Sequence, residues 1–228
     1  MRIAWDISHQ EFTIEDHYYF SILKRELKRR NIDVFELDKL SDILKEKADA
    51  LVINYPEKPF SRGDVDIVQR FLNRGGKVIV LGYYANEDGI AATVNSLTKH
   101  FGLVLRADRV YDPINNDGGD EFLIVTSRVL NFNRGVRKVL FPCSASIKIL
   151  NEKASAIVEA EDTARSNLGG DPILMVMLSF GKGTLILGGT CVFWDNYSIG
   201  KYNNKEFSLN LLLGRRSRII DFFCGKMP

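Results

Sequence analysis

The sequence predicts an α/β fold: a mostly parallel, doubly wound sheet over residues 1–105, extended by a β-rich second half with a closing helix over 106–228. Three observations predict it. Short apolar runs alternate with amphipathic helical stretches through the first half, the crossovers that parallel neighbours need. From residue 103 onward, strand-like runs follow one another with little helix between them. A chain of 228 residues with 45% hydrophobic and 11% aromatic content is enough to bury one large core.

Residues 1–5 form an apolar run ending at Asp6, as a buried strand does. Residues 15–30 carry Tyr19, Ile22, Leu23 and Leu27 near helical spacing, and Asn31 stops them. Residues 32–37 alternate apolar and acidic side chains as a second strand, and 41–47 predict a short charged helix capped by Ser41. Residues 50–54 predict a buried strand broken at Tyr55-Pro56, and 63–74 an amphipathic helix stopped by Gly75-Gly76. Residues 77–81 are the clearest parallel strand, running into Gly82, with a helix expected over 88–101. In the second half, 122–126, 138–141, 146–150, 154–160, 173–180 and 184–188 are strand-like, and Gly181-Lys182-Gly183 turns the last two into a hairpin. Helical spacing returns over 203–213 through Phe207, Leu209, Leu212 and Leu213. Residues 112–120 form the one loop long and polar enough to be mobile.

Charge and cysteines narrow the function classes. Lys+Arg 31 against Asp+Glu 29 leaves no bulk charge to hold a nucleic acid or an anionic membrane. Cys143, Cys191 and Cys224 are odd in number, far apart and without C-x-x-C spacing, so reduced thiols are expected and no zinc knuckle. The sequence opens without an apolar leader, and no run approaches the roughly 18 apolar residues of a membrane span. A cytoplasmic location without cofactor is therefore expected.

Chemistry is expected first at Asp6-x-x-His9-x-Glu11, just beyond the first strand, where open α/β sheets bind ligands. These side chains could orient an imidazole for acid/base work or supply two or three ligands to a metal. They could equally cap a turn. His17 and His100 are expected on helix surfaces, His100 at a helix C-terminus. The turn Gly82-Tyr83-Tyr84-Ala85-Asn86 stands where a nucleophile elbow would sit, but phenols are poor acyl-transfer nucleophiles at neutral pH. No His neighbours Cys143 in sequence to activate it, and Cys191 reads as a small buried residue. Gly181-Lys182-Gly183-Thr184 leads into a strand, not a helix, so it is no phosphate loop. Trp194-Asp195-Asn196-Tyr197 enters the final helix pattern, with Asn203 or Asn204 as its cap and Glu206 completing a capping box. Trp194 is expected at the sheet's rim. The basic segment Arg215, Arg216, Arg218 with Phe222 and Phe223 is too short for a nucleic-acid arm and could pack on a second subunit.

The opening I-A-W-D-I-S-H, the strand-to-turn K-V-I-V-L-G-Y-Y and the closing G-K-G-T-L-I-L-G-G-T…D-N…N-N-K-E-F-S-L-N-L-L resemble the domains of the class I glutamine-amidotransferase-like superfamily found with gliding-motility and transporter auxiliary proteins and in an intraflagellar-transport component. The resemblance implies a flavodoxin-like sheet. It places the amidotransferase nucleophile at Tyr83 or Tyr84, so the glutaminase chemistry is implied to be lost. Gly189, Thr190 and Cys191 stand where such domains carry an acidic late turn.

The expected function is thus a noncatalytic binding or scaffolding domain. A small polar ligand or protein partner would sit at the carboxyl edge of the sheet, on a rim of Asp6, His9, Glu11, Tyr83, Tyr84, Asn86, Trp194 and Asn203. The alternative is a hydrolase or amidase using His9 with Asp6 or Glu11, with or without a metal. A homodimer through unpaired edge strands of the second half is a further expectation.

Overall fold

The computed structural model describes residues 1–214; Cys224 and the segment holding Arg215, Arg216, Arg218, Phe222 and Phe223 lie outside the described residues. The first half builds four strands, β1 (Arg2–Asp6), β2 (Asp33–Leu37), β3 (Ala50–Asn54) and β4 (Lys77–Leu81), with helices α1 (His17–Arg29), α2 (Arg62–Asn73) and α3 (Ile90–Thr98). Every residue of β3 is buried, because a central parallel strand has both faces covered. Helix starts follow local capping: Asp16 accepts from the amides of Tyr18 and Tyr19, and Ser61 with Asp64 forms a full capping box for α2. The expected helix at 41–47 is instead a short 3-10 turn over Leu40–Leu44, in which Ser41 lies inside and no side chain caps.

The second half adds β5 (Leu103–Leu105), β6 (Val110–Tyr111), β7 (Asn116–Asp117), β8 (Asp120–Thr126), β9 (Val139–Pro142), β10 (Ile147–Ile149), β11 (Ala154–Glu159), β12 (Arg165–Ser166), β13 (Ile173–Phe180), β14 (Gly183–Gly188) and helix α4 (Asn204–Leu213). Strands of both halves share one seven-stranded sheet, ordered β11-β13-β14-β4-β3-β1-β2. β13 and β14 form the expected hairpin; β14 runs parallel to β4 and β13 antiparallel to both its neighbours. The outer edge of β11 is not open. Leu130 donates to the Ile157 carbonyl at 2.8 Å and Glu159 to that of Arg128 at 3.1 Å, so the unpaired edge expected to drive dimerisation is already occupied there.

The chain leaves β1 toward β2 and leaves β3 toward β4, in opposite directions across the sheet. Right-handed crossovers then put α1 and α2 on opposite faces and open a crevice beyond the carboxyl ends of β1 and β3. Three small sheets, β5–β10, β6–β12 and β7–β8–β9, accompany the main one. Their connections cover the carboxyl ends of β4 and β14. Ala145 donates to the Gly189 carbonyl at 2.9 Å, and a Cβ at Gly189 would lie 2.0 Å from the Ala145 oxygen. Backbone thus occupies the place of a side chain at this late turn. Gly189→Ala is expected to lower stability by about 2–3 kcal/mol in chemical denaturation. Gly200→Ala, where no atom stands within 4 Å, is expected to change it by less than about 0.5 kcal/mol.

Two polar segments differ from expectation. Residues 112–120 form a pinned hairpin, because the buried Asp112 carboxylate accepts from Ile114 and Asn115 amides at 2.9 and 2.8 Å and from the Thr163 hydroxyl at 2.7 Å. Neither asparagine caps α4 through its side chain. Asn203 Oδ1 accepts from the Arg137 amide at 2.9 Å, and buried Asn204 clamps the Leu140 amide and carbonyl and the Phe193 carbonyl. At the other end of α4 the Lys77 ammonium takes the carbonyls of Leu211, Leu212 and Gly214 at 2.7–3.0 Å, and burial pulls its pKa down to about 8.

Candidate functional site

Asp6 ends β1 at the crevice, and the chain then turns back on itself. The Ser8 amide and hydroxyl donate to Asp6 Oδ1 at 3.2 and 2.7 Å, and His9 Nδ1 lies 3.0 Å from Asp6 Oδ2. The His9 amide donates to Glu11 Oε2 at 2.8 Å, while its ring stacks on Phe60 with centroids 4.0 Å apart. Across the crevice, the Glu57 and Lys58 amides donate to the His9 carbonyl, and the Phe12 amide to that of Asn54. Asp64, of the α2 capping box, stands 3.6 Å from His9 Nε2. Its carboxyl is held below the ordinary range: burial opposes this, but Ser61 and His9 outweigh it.

The three predicted residues therefore meet, but not on a rim. Asp6 is 0%, His9 7% and Glu11 8% exposed, so the cluster is sealed beneath the carboxyl edge. The loop's own hydrogen bonds turn these side chains inward. One imidazole and two carboxyls share a volume in which their ligand atoms lie within 4.8 Å. Burial and the Asp6 charge beside it push the Glu11 carboxyl far above its usual range, to about 9. Glu11 Oε1 has no hydrogen-bond partner.

Above the cluster runs a line of aromatic rings. Phe12 stacks on Tyr19 at 5.4 Å and on Tyr55 at 4.7 Å; Tyr55 meets Tyr83 at 5.6 Å, Tyr83 meets Tyr84 at 4.9 Å, and Tyr84 meets Phe122 at 6.1 Å. The Arg109 guanidinium lies 5.7 Å over the Tyr84 ring. Except for buried Tyr55, whose hydroxyl donates to Asp88, these rings are half-exposed. Asn86 closes the same turn, accepting from the Ala92 amide at 2.9 Å. Burial raises the phenol pKa of Tyr83 and Tyr84 and the thiol pKa of Cys143 and Cys191, so none of these groups is an activated nucleophile. For Cys143, the Tyr83 and Tyr84 hydroxyls pull the other way without prevailing.

Trp194 corrects the expectation of a rim residue. It is fully buried, stacked on Phe193 and beside Trp5, and its Nε1 donates to Asn54 Oδ1 at 3.2 Å. Of its polar neighbours Tyr197 looks outward, exposed and meeting exposed Tyr18 edge to face, whereas Asp195 is buried. Asn203 is likewise no rim residue, being committed to the Arg137 amide. His17 and His100 are exposed, as the helix pattern predicts. Asp195 accepts from Tyr197 and Ser198 amides at 3.0 Å, and burial lifts its pKa to about 6. Between about pH 4 and 6 the folded chain then holds a proton that the unfolded chain has lost, so stability falls as pH rises through that window. Asp195→Asn is expected to gain about 1 kcal/mol at pH 8 and nothing at pH 4, read from urea midpoints.

A cavity lies elsewhere, away from this cluster. Its 1040 Å³ open between α4 and the segment Asn131–Gly135, with Met177 and Gly214 on its wall, and none of the predicted site residues lines it. A smaller one of 390 Å³ borders Asn86 and Arg106. Phe60, Phe12 and Arg109 belong to the site yet carry no signal in the linear sequence; Asp64 carries one, as the acidic partner of Ser61 in a capping box.

A model of the IFT52 GIFT domain matches residues 2–114. An uncharacterized protein of Aquifex aeolicus (strain VF5) is 44% identical over 221 residues, covering 93% of each chain. The solved mmIFT52 N-terminal domain superposes with a TM-score of 0.80 at 17% identity, over 95% of this chain and 100% of that one. Cytoplasmic protein STM3548 from Salmonella typhimurium shares the fold more distantly, with a TM-score of 0.51 at 12% identity over 92% of this chain and 97% of that one. The sheet order and these likenesses agree: the chain belongs to the IFT52 GIFT-domain family, with the class I glutamine amidotransferase-like fold.

Proposed function

We propose that this GIFT domain is a noncatalytic binding module that docks a protein partner in the cytoplasm through the half-exposed aromatic line at the carboxyl edge of its sheet. The observation that carries this reading is the elbow after β4. The place that the resemblance gives the nucleophile holds Tyr83 or Tyr84, whose phenol pKa values burial raises, while their rings continue into Phe122 and Arg109. Aromatic rings and arginine are the side chains that interfaces favour, and an extended line of them suits a protein surface better than a small molecule. A hydrolase using His9 would need substrate to reach a side chain only 9% exposed. Among the described residues no helix is long and apolar enough to cross a membrane.

A photo-crosslinking residue in place of Tyr84 is expected to trap one protein in cells. That protein's affinity for the purified domain should fall at least about tenfold in Arg109→Ala and in Tyr83→Ala while the melting temperature of Arg109→Ala stays unchanged. Trapping of a small polar ligand would revise the partner class. Affinity indifferent to both substitutions would overturn the docking surface.

A further inference from the structure

We propose that Asp6 Oδ2, His9 Nδ1 and Glu11 Oε1 form a binding site for one divalent transition-metal ion of the Zn²⁺ class, which clamps the loop after β1. The proposal is independent of the docking surface above.

The ligand atoms come from three side chains on six consecutive residues, and they converge rather than diverge. His9 Nδ1 stands 3.0 Å from Asp6 Oδ2 and 3.8 Å from Glu11 Oε1. An ion bound at roughly 2.0–2.1 Å by nitrogen and oxygen in tetrahedral geometry sets its ligands a little over 3 Å apart, between these two separations. The donor set selects the ion class. One imidazole with two carboxylates suits Zn²⁺ or Mn²⁺, whereas Mg²⁺ wants near-octahedral oxygen and retained water.

Two independent features point to a ligand. First, Glu11 Oε1 is a buried oxygen without a hydrogen-bond partner, on a side chain with 0% exposure, and it lies 3.8 Å from His9 Nδ1 beside the Asp6 carboxyl. Native structures rarely leave such an oxygen without a counterpart. Among the described residues no Lys or Arg pairs with Asp6 or Glu11, so two buried carboxyls lack a basic partner other than His9. A dication would complete that charge balance: two carboxylates and a neutral imidazole around M²⁺ sum to zero. Second, if Nδ1 binds the ion, the free ring nitrogen faces Asp64 Oδ2 at 3.6 Å, and Phe60 stacks on the ring to fix its plane. A carboxylate behind the ligating histidine is the arrangement that orients metal-bound imidazole. Asp64 is thereby a positioning residue. The ion would hold Phe12, the residue after Glu11, and so the start of the aromatic line.

The test uses the full chain with any affinity tag removed, stripped by chelator and titrated with Zn²⁺ and, for its absorption spectrum, Co²⁺. The expected result is one equivalent bound, visible d–d bands of a Co²⁺ site with fewer than six ligands, and a melting temperature raised by about 5–10 °C at Zn²⁺ one hundred times Kd. Glu11→Gln keeps the shape of the carboxyl without its charge and should fold, yet lose affinity by more than about 100-fold. Asp64→Asn should lose about 10- to 100-fold and alter the Co²⁺ bands, which a merely structural residue would not do. Substoichiometric binding by the wild type, or equal binding by Glu11→Gln, overturns the site; the latter would place the metal on other side chains such as exposed His17 or His100. Should Glu11→Gln fail to fold, Asp6→Asn gives the same decision.

Discussion

Trp194→Ala is expected to destabilise the domain by about 5 kcal/mol, between about a third and all of the stability of a typical domain. Two losses add. Truncating the indole empties a fully buried site bounded by Phe193 and Trp5, with ring centroids at 5.0 and 5.6 Å, and large-to-small changes of this kind cost about 3–5 kcal/mol. The indole N–H also pairs Asn54 Oδ1, whose own amide nitrogen already lacks a partner. Without Trp194 the Asn54 amide at the end of β3 has no bond from the indole, a further penalty of about 1–3 kcal/mol. Trp194→Phe keeps most of the packing and loses only the donor, so it should fall near 2 kcal/mol. Tyr197→Ala, three residues on and exposed, should stay within about 0.5 kcal/mol. Urea unfolding followed by circular dichroism separates these cases. A Trp194→Ala protein with an unchanged midpoint would return the side chain to the rim that the sequence predicts.

That contrast shows what was legible in the chain and what was not. Apolar runs such as Ala50–Asn54 and Lys77–Leu81 announce buried parallel strands because their pattern depends only on neighbours in sequence. The elbow after β4 is readable for the same reason: a strand, Gly82 and two tyrosines are contiguous. Trp194 misleads because its neighbours Asp195, Asn196 and Tyr197 are polar, yet they serve the chain locally. Asp195 holds a turn, and Asn196 binds the backbone of α1 through His17 and Tyr18 carbonyls. The asparagines before α4 mislead similarly, since capping is the commonest short-range use of Asn but here both amides bridge to residues about 65 positions away. In the cluster, Asp6, His9 and Glu11 could be named from their spacing. Their burial could not, because Phe60 and Asp64 arrive from the other side of the crevice.

Asp108→Ala is expected to cost about 3–5 kcal/mol and to loosen the cover over the carboxyl edge before the sheet itself. Asp108 is fully buried, and its carboxylate accepts from the Ser146 amide at 2.8 Å and from the Ser146 and Ser166 hydroxyls at 2.5 Å, with the Arg106 guanidinium at 3.3 Å. Arg106 in turn binds the Leu168 and Gly169 carbonyls at 2.9 and 2.8 Å. One carboxylate therefore ties together three segments, around residues 106–109, 144–146 and 166–169, from inside the small ladders β5–β10 and β6–β12 that also join them. Removing it strands three donors in a dry place and leaves Arg106 with a charge that has lost its partner. The consequence reaches the elbow, because the Asp108 carbonyl accepts from the Ala85 amide at 2.7 Å, between the tyrosines and Asn86. Hydrogen exchange should accordingly rise first at residues 83–86, 106–109 and 144–146, while β1, β3 and β4 stay protected. Asp108→Asn retains one acceptor and the shape, so about half the loss is expected. Uniform acceleration across the sheet would mean that the cover and the sheet unfold as one unit, and the elbow's tyrosines would then owe their placement to the whole core rather than to this carboxylate.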